Sequence, residues 1–116
     1  MKHHLYLQIA SKLRTKILRG DYAPEQQIPS IRRLAENEKC NPATVQKAMK
    51  VLEEQNLVTS CGTLGYFVIA SNKEIMELRY QESNKSVKIL CKKLAELGFS
   101  EDEIVNLSIR EDTRKS

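Results

Sequence analysis

The chain has 116 residues, of which 41% are apolar, 29% charged and 5% aromatic, with a formal net charge of +4. This length suits one domain with a short extension and excludes a large catalytic scaffold, and the apolar content excludes a wholly disordered chain. No apolar run reaches the ~18 residues of a membrane span, and residues 1–10 lack the apolar segment of a signal peptide. We therefore expect a cytoplasmic protein that does not contact a membrane.

The excess positive charge lies in the first part of the chain. Residues 1–68 contain 10 basic and 6 acidic residues, whereas residues 69–116 contain 9 of each. Such an asymmetry favours an anionic partner for the first part, with nucleic acid and a membrane surface as the usual candidates.

Three helices are predicted before residue 56. Apolar residues recur at three- and four-residue steps over residues 5–19, which predicts the first helix. The same spacing follows Ser30, an N-cap for the second helix, and Asn41-Pro42, an N-cap and first residue for the third. The second helix is short, and the third extends to about Gln55. A turn of roughly four residues joins these two helices, which is the pattern of a helix-turn-helix.

A β-hairpin and a helical tail follow. Two short β-prone runs, residues 57–60 and 66–69, flank a tip with two glycines, and a helix is predicted over residues 72–97. Gly98 ends this helix, and a capping box over residues 100–103 begins a short final helix. Residues 110–116 should be frayed. The predicted fold is mainly α. A winged helix-turn-helix domain (three helices plus a β-hairpin) occupies residues 1–70, and a two-helix C-terminal dimerisation tail occupies residues 71–116.

The long helix of the tail carries an apolar stripe with the a/d spacing of a coiled coil. The stripe consists of Met76, Tyr80, Val87, Leu90, Leu94 and Leu97. A tail of this size forms no useful core of its own, so the stripe packs either on the first domain or on a second copy of the chain. We predict a dimer interface, and a monomer in solution would indicate the other arrangement.

The third helix begins with side chains suited to reading DNA. If its apolar residues face the core, the outward residues are Pro42, Ala43, Thr44, Gln46, Lys47 and Lys50. Ala43 and the Thr44 methyl group can contact a thymine methyl, and Gln46 can pair with adenine. Lys47 can reach guanine or a phosphate. The alternative is a solvated helix face that contacts nothing.

Two further segments are candidates for DNA contact. Arg32 and Arg33 lie in the first turn of the second helix, where the helix dipole disfavours cations, so a base or phosphate contact would explain them. A surface ion pair with Glu36 is the alternative. The tip at residues 62–65 can approach a minor groove through its glycines, or can be a simple turn; it contains no Lys or Arg.

Catalytic and metal-binding patterns are missing from the sequence. No His lies in the middle of the chain, and the glycine pair of the tip is not followed by the G-K-[ST] of a phosphate-binding loop. The three cysteines, Cys40, Cys61 and Cys91, are odd in number and widely spaced. We therefore expect no enzymatic activity, no cofactor, no metal site and no disulfide framework.

Five blocks of the sequence resemble the DNA-binding domain of GntR-type transcriptional regulators over about residues 5–69. These blocks are Tyr6-Leu7-Gln8-Ile9, Ile17-Leu18-Arg19-Gly20, Ile28-Pro29-Ser30-Ile31-Arg32-Arg33-Leu34-Ala35, Asn41-Pro42-Ala43-Thr44-Val45-Gln46 and Gly65-Tyr66-Phe67-Val68. The Asn-Pro block and the short two-helix tail are similar to the YtrA subfamily, in which a reduced C-terminal region serves mainly for dimerisation.

The resemblance implies a homodimer that binds a palindromic operator in double-stranded DNA, usually as a repressor. It implies that Arg32 reads a base, that the start of the third helix meets bases and phosphates, and that Gly62 and Thr63 lie in the wing. The complete predicted DNA-binding set is Ser30, Arg32, Arg33, Asn41, Ala43, Thr44, Gln46, Lys47, Gly62 and Thr63.

Three departures from the family pattern stand out. Glu25 replaces the usual glycine after Pro24, and Glu38 and Lys39 replace the usual Leu-Gly of the helix-turn-helix turn, which becomes more polar. The wing lacks the usual basic residues, which places more weight on Arg32 and the third helix.

Alternatives to a DNA-binding regulator make different predictions. A winged-helix module that binds protein without specific DNA binding predicts no basic face. A membrane-surface helix predicts strong basic amphipathicity in residues 72–97, which instead mix both signs of charge. The sequence reveals no effector and no obvious ligand cavity in the tail. Control by a small molecule at the dimer interface, by another protein or by abundance therefore stays open.

Overall fold

The computed structural model describes residues 5–107. Its helices and strands, in chain order, are α1 (Leu5–Arg19), α2 (Ile31–Glu38), α3 (Pro42–Glu54), β1 (Val58–Ser60), β2 (Tyr66–Val68) and α4 (Asn72–Glu96), and residues 101–107 are also helical. This order confirms the predicted fold of three helices, a β-hairpin and a two-helix tail. The predicted fraying of residues 110–116 lies outside the described residues.

The helices α2 and α3 begin at the predicted capping residues. The Ser30 hydroxyl oxygen accepts a hydrogen bond from the Arg33 backbone N–H at 3.1 Å, and the Asn41 side-chain oxygen accepts one from the Ala43 N–H at 2.9 Å. Each cap satisfies a backbone donor that has no partner inside the helix, a contribution of about 0.5–2 kcal/mol to stability. The two caps therefore fix where the helices on either side of the turn begin.

One hydrophobic core holds the three helices and the hairpin together. Its largest fully buried side chains are Ile9, Ile17, Ile28, Val45, Met49, Leu52, Leu57, Val58 and Val68. Ile75, near the start of α4, is 5% exposed and belongs to the same cluster. The structure separates into two compact units, one ending at Leu78 and the other starting at Arg79, and every member of this core lies in the first unit.

A third backbone segment is joined to the two-stranded wing by an isolated β-bridge between Gln27 and Phe67. Strands β1 and β2 are antiparallel, with Val58 opposite Val68. The segment between α1 and α2 pairs with the outer side of β2, because the Ile28 N–H donates to the Tyr66 carbonyl at 2.9 Å and the Val68 N–H donates to the Gln26 carbonyl at 3.0 Å. The hairpin was expected from the sequence, but this third segment was not.

Two departures from the family glycine pattern are left-handed backbone positions. Glu25 has φ 70° and Lys39 has φ 54°, a conformation that costs a non-glycine residue roughly 1–2 kcal/mol. Backbone hydrogen bonds hold both: the Glu25 N–H donates to the distant Val68 carbonyl at 2.8 Å, and the Lys39 N–H donates to the nearby Glu36 carbonyl at 3.2 Å. The polar residues therefore keep the backbone geometry for which glycine is usual.

The second unit contains α4 from Arg79 onward and the helical residues 101–107. Gly98, at φ 97°, ends the long helix as predicted. The predicted capping box follows, in which the Ser100 N–H donates to a Glu103 carboxylate oxygen at 3.0 Å and the Glu103 N–H donates to the Ser100 hydroxyl oxygen at 3.2 Å. The hydrogen bond from the Ser100 backbone N–H, followed by that of the Ser100 side chain, stabilises the ionised carboxylate and lowers the pKa of Glu103.

The predicted apolar stripe of α4 is mostly exposed. Met76, Tyr80, Val87, Leu90 and Leu97 are between 48% and 75% exposed, and Leu94 is half-buried. Single exposed apolar residues are ordinary on a protein surface, but a row at heptad spacing is typical of a helix that packs on a partner helix.

Candidate nucleic-acid interface

Packing of α3 determines which of its side chains reach solvent. Val45, Ala48, Met49 and Leu52 are completely buried. The opposite side of the helix consists of the exposed residues Pro42, Ala43, Gln46, Lys47 and Lys50. Thr44, which was also expected on the exposed side, is half-buried. It lies four residues before Ala48 and therefore at the edge of the buried side.

The N-terminus of α3 presents an anion-binding end of a helix. The Asn41 side chain occupies the Ala43 N–H, and Pro42 at the first helical position removes another donor. The Thr44 N–H donates to the Asn41 carbonyl at 2.9 Å, so it is the positive end of the helix dipole that favours a phosphate oxygen here. Lys47 lies one turn farther on the exposed side, so a backbone phosphate and a base edge are both reachable from this end.

Both arginines of the first turn of α2 are exposed. Within residues 5–107, neither the Arg32 nor the Arg33 guanidinium takes part in a hydrogen bond or an ion pair, and the alternative pair with Glu36 is not formed. Two unpaired cations at the positive end of a helix dipole are electrostatically unfavourable without an external anion. Their placement is therefore suited to a DNA ligand.

A groove between the wing, the start of α2 and the exposed side of α3 brings several predicted residues together. Its volume is about 400 Å³. The residues that line it are Gln27, Pro29, Ser30, Ile31, Gln46, Ser60, Gly62, Thr63, Leu64, Gly65 and Tyr66. It therefore unites Ser30, Gln46, Gly62 and Thr63, whereas Arg32, Arg33, Asn41, Ala43, Thr44 and Lys47 do not line it.

The tip of the wing is a single 3₁₀ turn, Gly62–Leu64, closed by Gly65. Gly65 has φ 95° and ψ −150°, a conformation that only glycine adopts readily. The Gln27 side-chain amide donates a hydrogen bond to the Leu64 carbonyl and so attaches the tip to the segment before α2. Sequence reasoning missed Gln27, because 37 residues separate it from its partner and no local pattern marks the pair.

Tyr66 is a second residue of the groove that sequence reasoning did not assign. Burial raises the pKa of its phenol, and the nearby Glu53 carboxylate raises it further. A phenol is protonated at neutral pH in any case, so the hydroxyl group can donate a hydrogen bond to a phosphate or a base. A polar aromatic residue in a short strand beside the tip was the only available signal in the sequence.

The charge of the first domain is not located at this groove. Residues 1–20 contain five basic and no acidic residues, whereas residues 21–68 contain five basic and six acidic residues. The segment that supplies α2, α3 and the wing therefore has no net positive charge. The excess noted for residues 1–68 belongs to α1 and the residues before it.

The second unit contains a hollow that the sequence did not lead us to expect. It has a volume of about 510 Å³ and is lined by Cys91, Lys92, Ala95, Phe99, Glu101, Ile104 and Val105. It lies between the end of α4 and the helical residues 101–107. The expectation of no ligand cavity in the tail is therefore wrong in one respect, since a concave, mainly apolar surface is present.

Other predicted absences concern membranes, metals and disulfides. No helix among residues 5–107 is both long and apolar enough to cross a membrane. In the same part of the chain, no group of three or more His, Cys, Asp or Glu residues is arranged to hold a metal ion. The three cysteines are free: Cys61 is exposed in the wing, and Cys40 and Cys91 are half-buried.

A capped recognition helix with a wing beside it defines a winged helix-turn-helix protein. The family model described as "Bacterial regulatory proteins, gntR family" matches residues 5–68. The chain therefore belongs to the GntR family and is a DNA-binding transcriptional regulator, which agrees with the prediction that it is not an enzyme.

Two relatives from Bacillus subtilis (strain 168) support this assignment. The chain is 27% identical over 101 residues to the uncharacterized HTH-type transcriptional regulator YhcF, covering 87% of this chain and 84% of YhcF. It is 32% identical over 69 residues to the HTH-type transcriptional repressor YtrA, covering 60% of this chain and 53% of YtrA. The likeness to YtrA agrees with the predicted YtrA-like character.

Solved structures extend the likeness to the fold. A GntR family transcriptional regulator from Listeria monocytogenes superposes with a TM-score of 0.82 at 24% identity, covering 91% of this chain and 93% of that chain. The DNA-binding domain of AraR, solved in complex with operator ORX1, has a TM-score of 0.53 at 30% identity and covers 54% of this chain and 76% of that chain. The first likeness includes the tail, and the second is confined to about half of the chain.

Replacing Gln27 by Ala should loosen the wing tip without unfolding the protein. The substitution removes the amide that holds the Leu64 carbonyl, so the amide hydrogens of Leu64 and Gly65 should exchange faster, while the free energy of unfolding changes by less than about 0.5 kcal/mol. Hydrogen exchange measured by NMR tests this, with Gln8→Ala on the exposed side of α1 as the control. Unchanged exchange at both amides would show that the hydrogen bond does not restrain the tip.

Proposed function

We propose that this protein is a homodimeric repressor that binds a palindromic operator in the cytoplasm. Residues 1–70 form the DNA-binding domain and residues 71–116 form the dimerisation region. Each protomer reads one half-site through α3, and the two recognition helices lie about one helical turn of DNA apart, roughly 34–36 Å. The repressor named YtrA and the operator complex of AraR among the similar proteins support this proposal.

The observation that carries the DNA-reading proposal is the groove beside α3. Its walls are the wing tip, the cap of α2 and Gln46, and they expose hydrogen-bonding groups without a charged side chain. Gln46 can form a bidentate pair with adenine in the major groove. Arg32 at the start of α2 can form the bidentate pair with guanine, and Lys47 and Arg33 are suited to phosphates.

The wing contributes shape rather than charge. Gly62 and Thr63 expose backbone at the tip, which permits close approach to a minor groove. No residue of the tip is basic, so its contribution to phosphate binding is small, and the reading of bases rests on Arg32 and on the exposed side of α3.

The exposed stripe of α4 supports the dimer. Five of its six apolar residues are exposed within one chain, and their removal from water on dimerisation would contribute about 25 cal/mol per Å² of apolar area. A second copy of α4 matches this stripe in length and spacing, as in a two-stranded coiled coil. A small-molecule effector is not required by this arrangement.

Selection of bound DNA from a random library tests the function directly. We expect recovery of a palindrome whose half-sites are centred about 10 base pairs apart, with affinity that falls steeply as salt rises. Recovery of no common sequence, or binding that does not depend on salt, would refute the operator proposal and favour a module that binds protein.

Replacement of Arg32 by Ala should relax specificity at one base pair of each half-site. The loss of a bidentate contact to guanine is expected to cost about 1–3 kcal/mol against that base only. Binding measured on operators substituted at each position reveals the affected base pair. Arg33→Ala is the matched comparison and should weaken binding to all sequences alike; the same uniform loss for Arg32→Ala would show that Arg32 contacts only phosphate.

Replacement of Leu90 by Asp should convert the dimer to a monomer. A carboxylate at the centre of an apolar helix pair is desolvated without a partner, which strongly opposes association. Light scattering at tens of micromolar protein measures the mass. Ile89→Asp is a close control, because Ile89 is 57% exposed and Leu90 is 56% exposed, but Ile89 lies outside the stripe. A monomeric unsubstituted protein, or equal dissociation of both variants, would contradict this interface.

A further inference from the structure

The helix α1 carries a basic face that neither the groove nor the wing explains. Lys12, Lys16 and Arg19 are all exposed and follow one another at steps of four and three residues, so they lie on one side of the helix. We call these three residues the α1 basic face. Together with two hydroxyl residues of α1 and Glu38 of α2, they line a concave surface of about 320 Å³. No residue of this surface lines the groove beside α3.

We propose that the α1 basic face binds the sugar-phosphate backbone of DNA beside the major groove that receives α3. This inference rests on the proposed function, because it takes the N-terminus of α3 as the end that enters the groove. It assigns to α1 a further sequence-independent part of the binding free energy, in addition to the phosphate contacts proposed for Arg33 and Lys47.

The first support is the distribution of charge. Non-specific DNA binding comes almost entirely from Lys and Arg residues that neutralise phosphates and release counterions. Residues 21–68 hold five basic against six acidic residues, so the helix-turn-helix and the wing together carry no net positive charge. All five charges of residues 1–20 are positive, and three of them form the α1 basic face.

The second support is the position of Lys12. Its Nζ lies 2.9 Å from a carboxylate oxygen of Glu38, which is the last residue of α2. Only two residues separate Glu38 from Asn41, the N-cap of α3. The major groove is about 12 Å wide, so the backbone that borders a groove occupied by the start of α3 lies within reach of a lysine at this point.

The third support is the chemistry of the present partners. Lys12 pairs with Glu38 and Arg19 pairs with Asp21 at 3.0 Å, and both cationic side chains remain about two-thirds exposed. The Lys16 Nζ lies 5.9 Å from the centre of the Tyr22 ring. Ion pairs at a protein surface contribute little to stability, so phosphate oxygens can replace these carboxylates at small cost.

The test compares two lysine pairs with the same spacing. Lys12→Gln/Lys16→Gln alters the α1 basic face, and Lys88→Gln/Lys92→Gln removes two exposed lysines four residues apart on α4, outside the apolar stripe. Affinity is measured against salt concentration on the selected operator and on a random-sequence duplex, after circular dichroism has shown that both variants are folded. A third variant, Glu38→Gln, removes the carboxylate that competes for Lys12.

The expected result is a smaller salt dependence for the first variant only. The slope of log affinity against log salt should decrease by about 0.9 for each lysine that neutralises a phosphate, to the same extent on both duplexes. The Lys88→Gln/Lys92→Gln variant should keep the slope of the unsubstituted protein. Glu38→Gln should bind both duplexes more tightly.

Two results would overturn the proposal. One is an equal salt slope for the two lysine variants, and the other is a decrease in slope that is seen on the operator but not on the random duplex. The first would leave the α1 basic face for another anionic partner, such as an acidic protein. The random duplex keeps this test separate from the proposed function. The protein could select no palindrome while Lys12→Gln/Lys16→Gln still lowers the salt dependence of binding to random DNA. That result would support the α1 contact and refute the operator function.

Discussion

Burial of one side of α3 is the constraint on which the rest of the structure depends. Val45, Ala48, Met49 and Leu52 are all withdrawn from water, and each large apolar side chain contributes roughly 1.5–3 kcal/mol when fully buried. Any substantial rotation of the helix about its axis would expose part of this set. The opposite side, with Gln46 and Lys47, therefore faces solvent in a fixed orientation, and the Asn41 cap determines where that surface begins.

The wing depends on the same core through longer connections. A hairpin with strands of only three residues is marginal by itself, and here it is stabilised by burial of Val58 and Val68 and by backbone pairing with the segment before α2. The connection between α1 and α2 is therefore a structural part of the wing. This explains why Glu25 keeps a left-handed conformation without glycine: its N–H is needed by the Val68 carbonyl.

The distribution of charge and the distribution of hydrogen-bonding groups differ within the first unit. The groove beside α3 has polar side chains and exposed backbone suited to discriminating bases, whereas the net positive charge is carried by residues 1–20. Phosphate attraction is long-ranged and tolerant of position, but base recognition requires contact at hydrogen-bond distance. Under the proposed function, a charged helix next to the turn and an uncharged groove beside α3 would satisfy these two requirements separately.

The sequence by itself determined the helices, their limits and the candidate arginines. Helical periodicity, Ser30, Asn41 and Gly98 are local signals, because capping and backbone conformation act within a few residues. Only the tertiary structure decided that Gln27 holds the wing tip, that Thr44 lies at the edge of the core and that Tyr66 joins Ser30 and Gln46 in one groove. Those facts depend on contacts between residues far apart in the chain, for which no local pattern exists. The distribution of the +4 charge along the chain could be counted from the sequence. The position of that charge in the fold could not, because it is the ion pair of Lys12 with Glu38 that places the basic side of α1 beside the turn leading into α3.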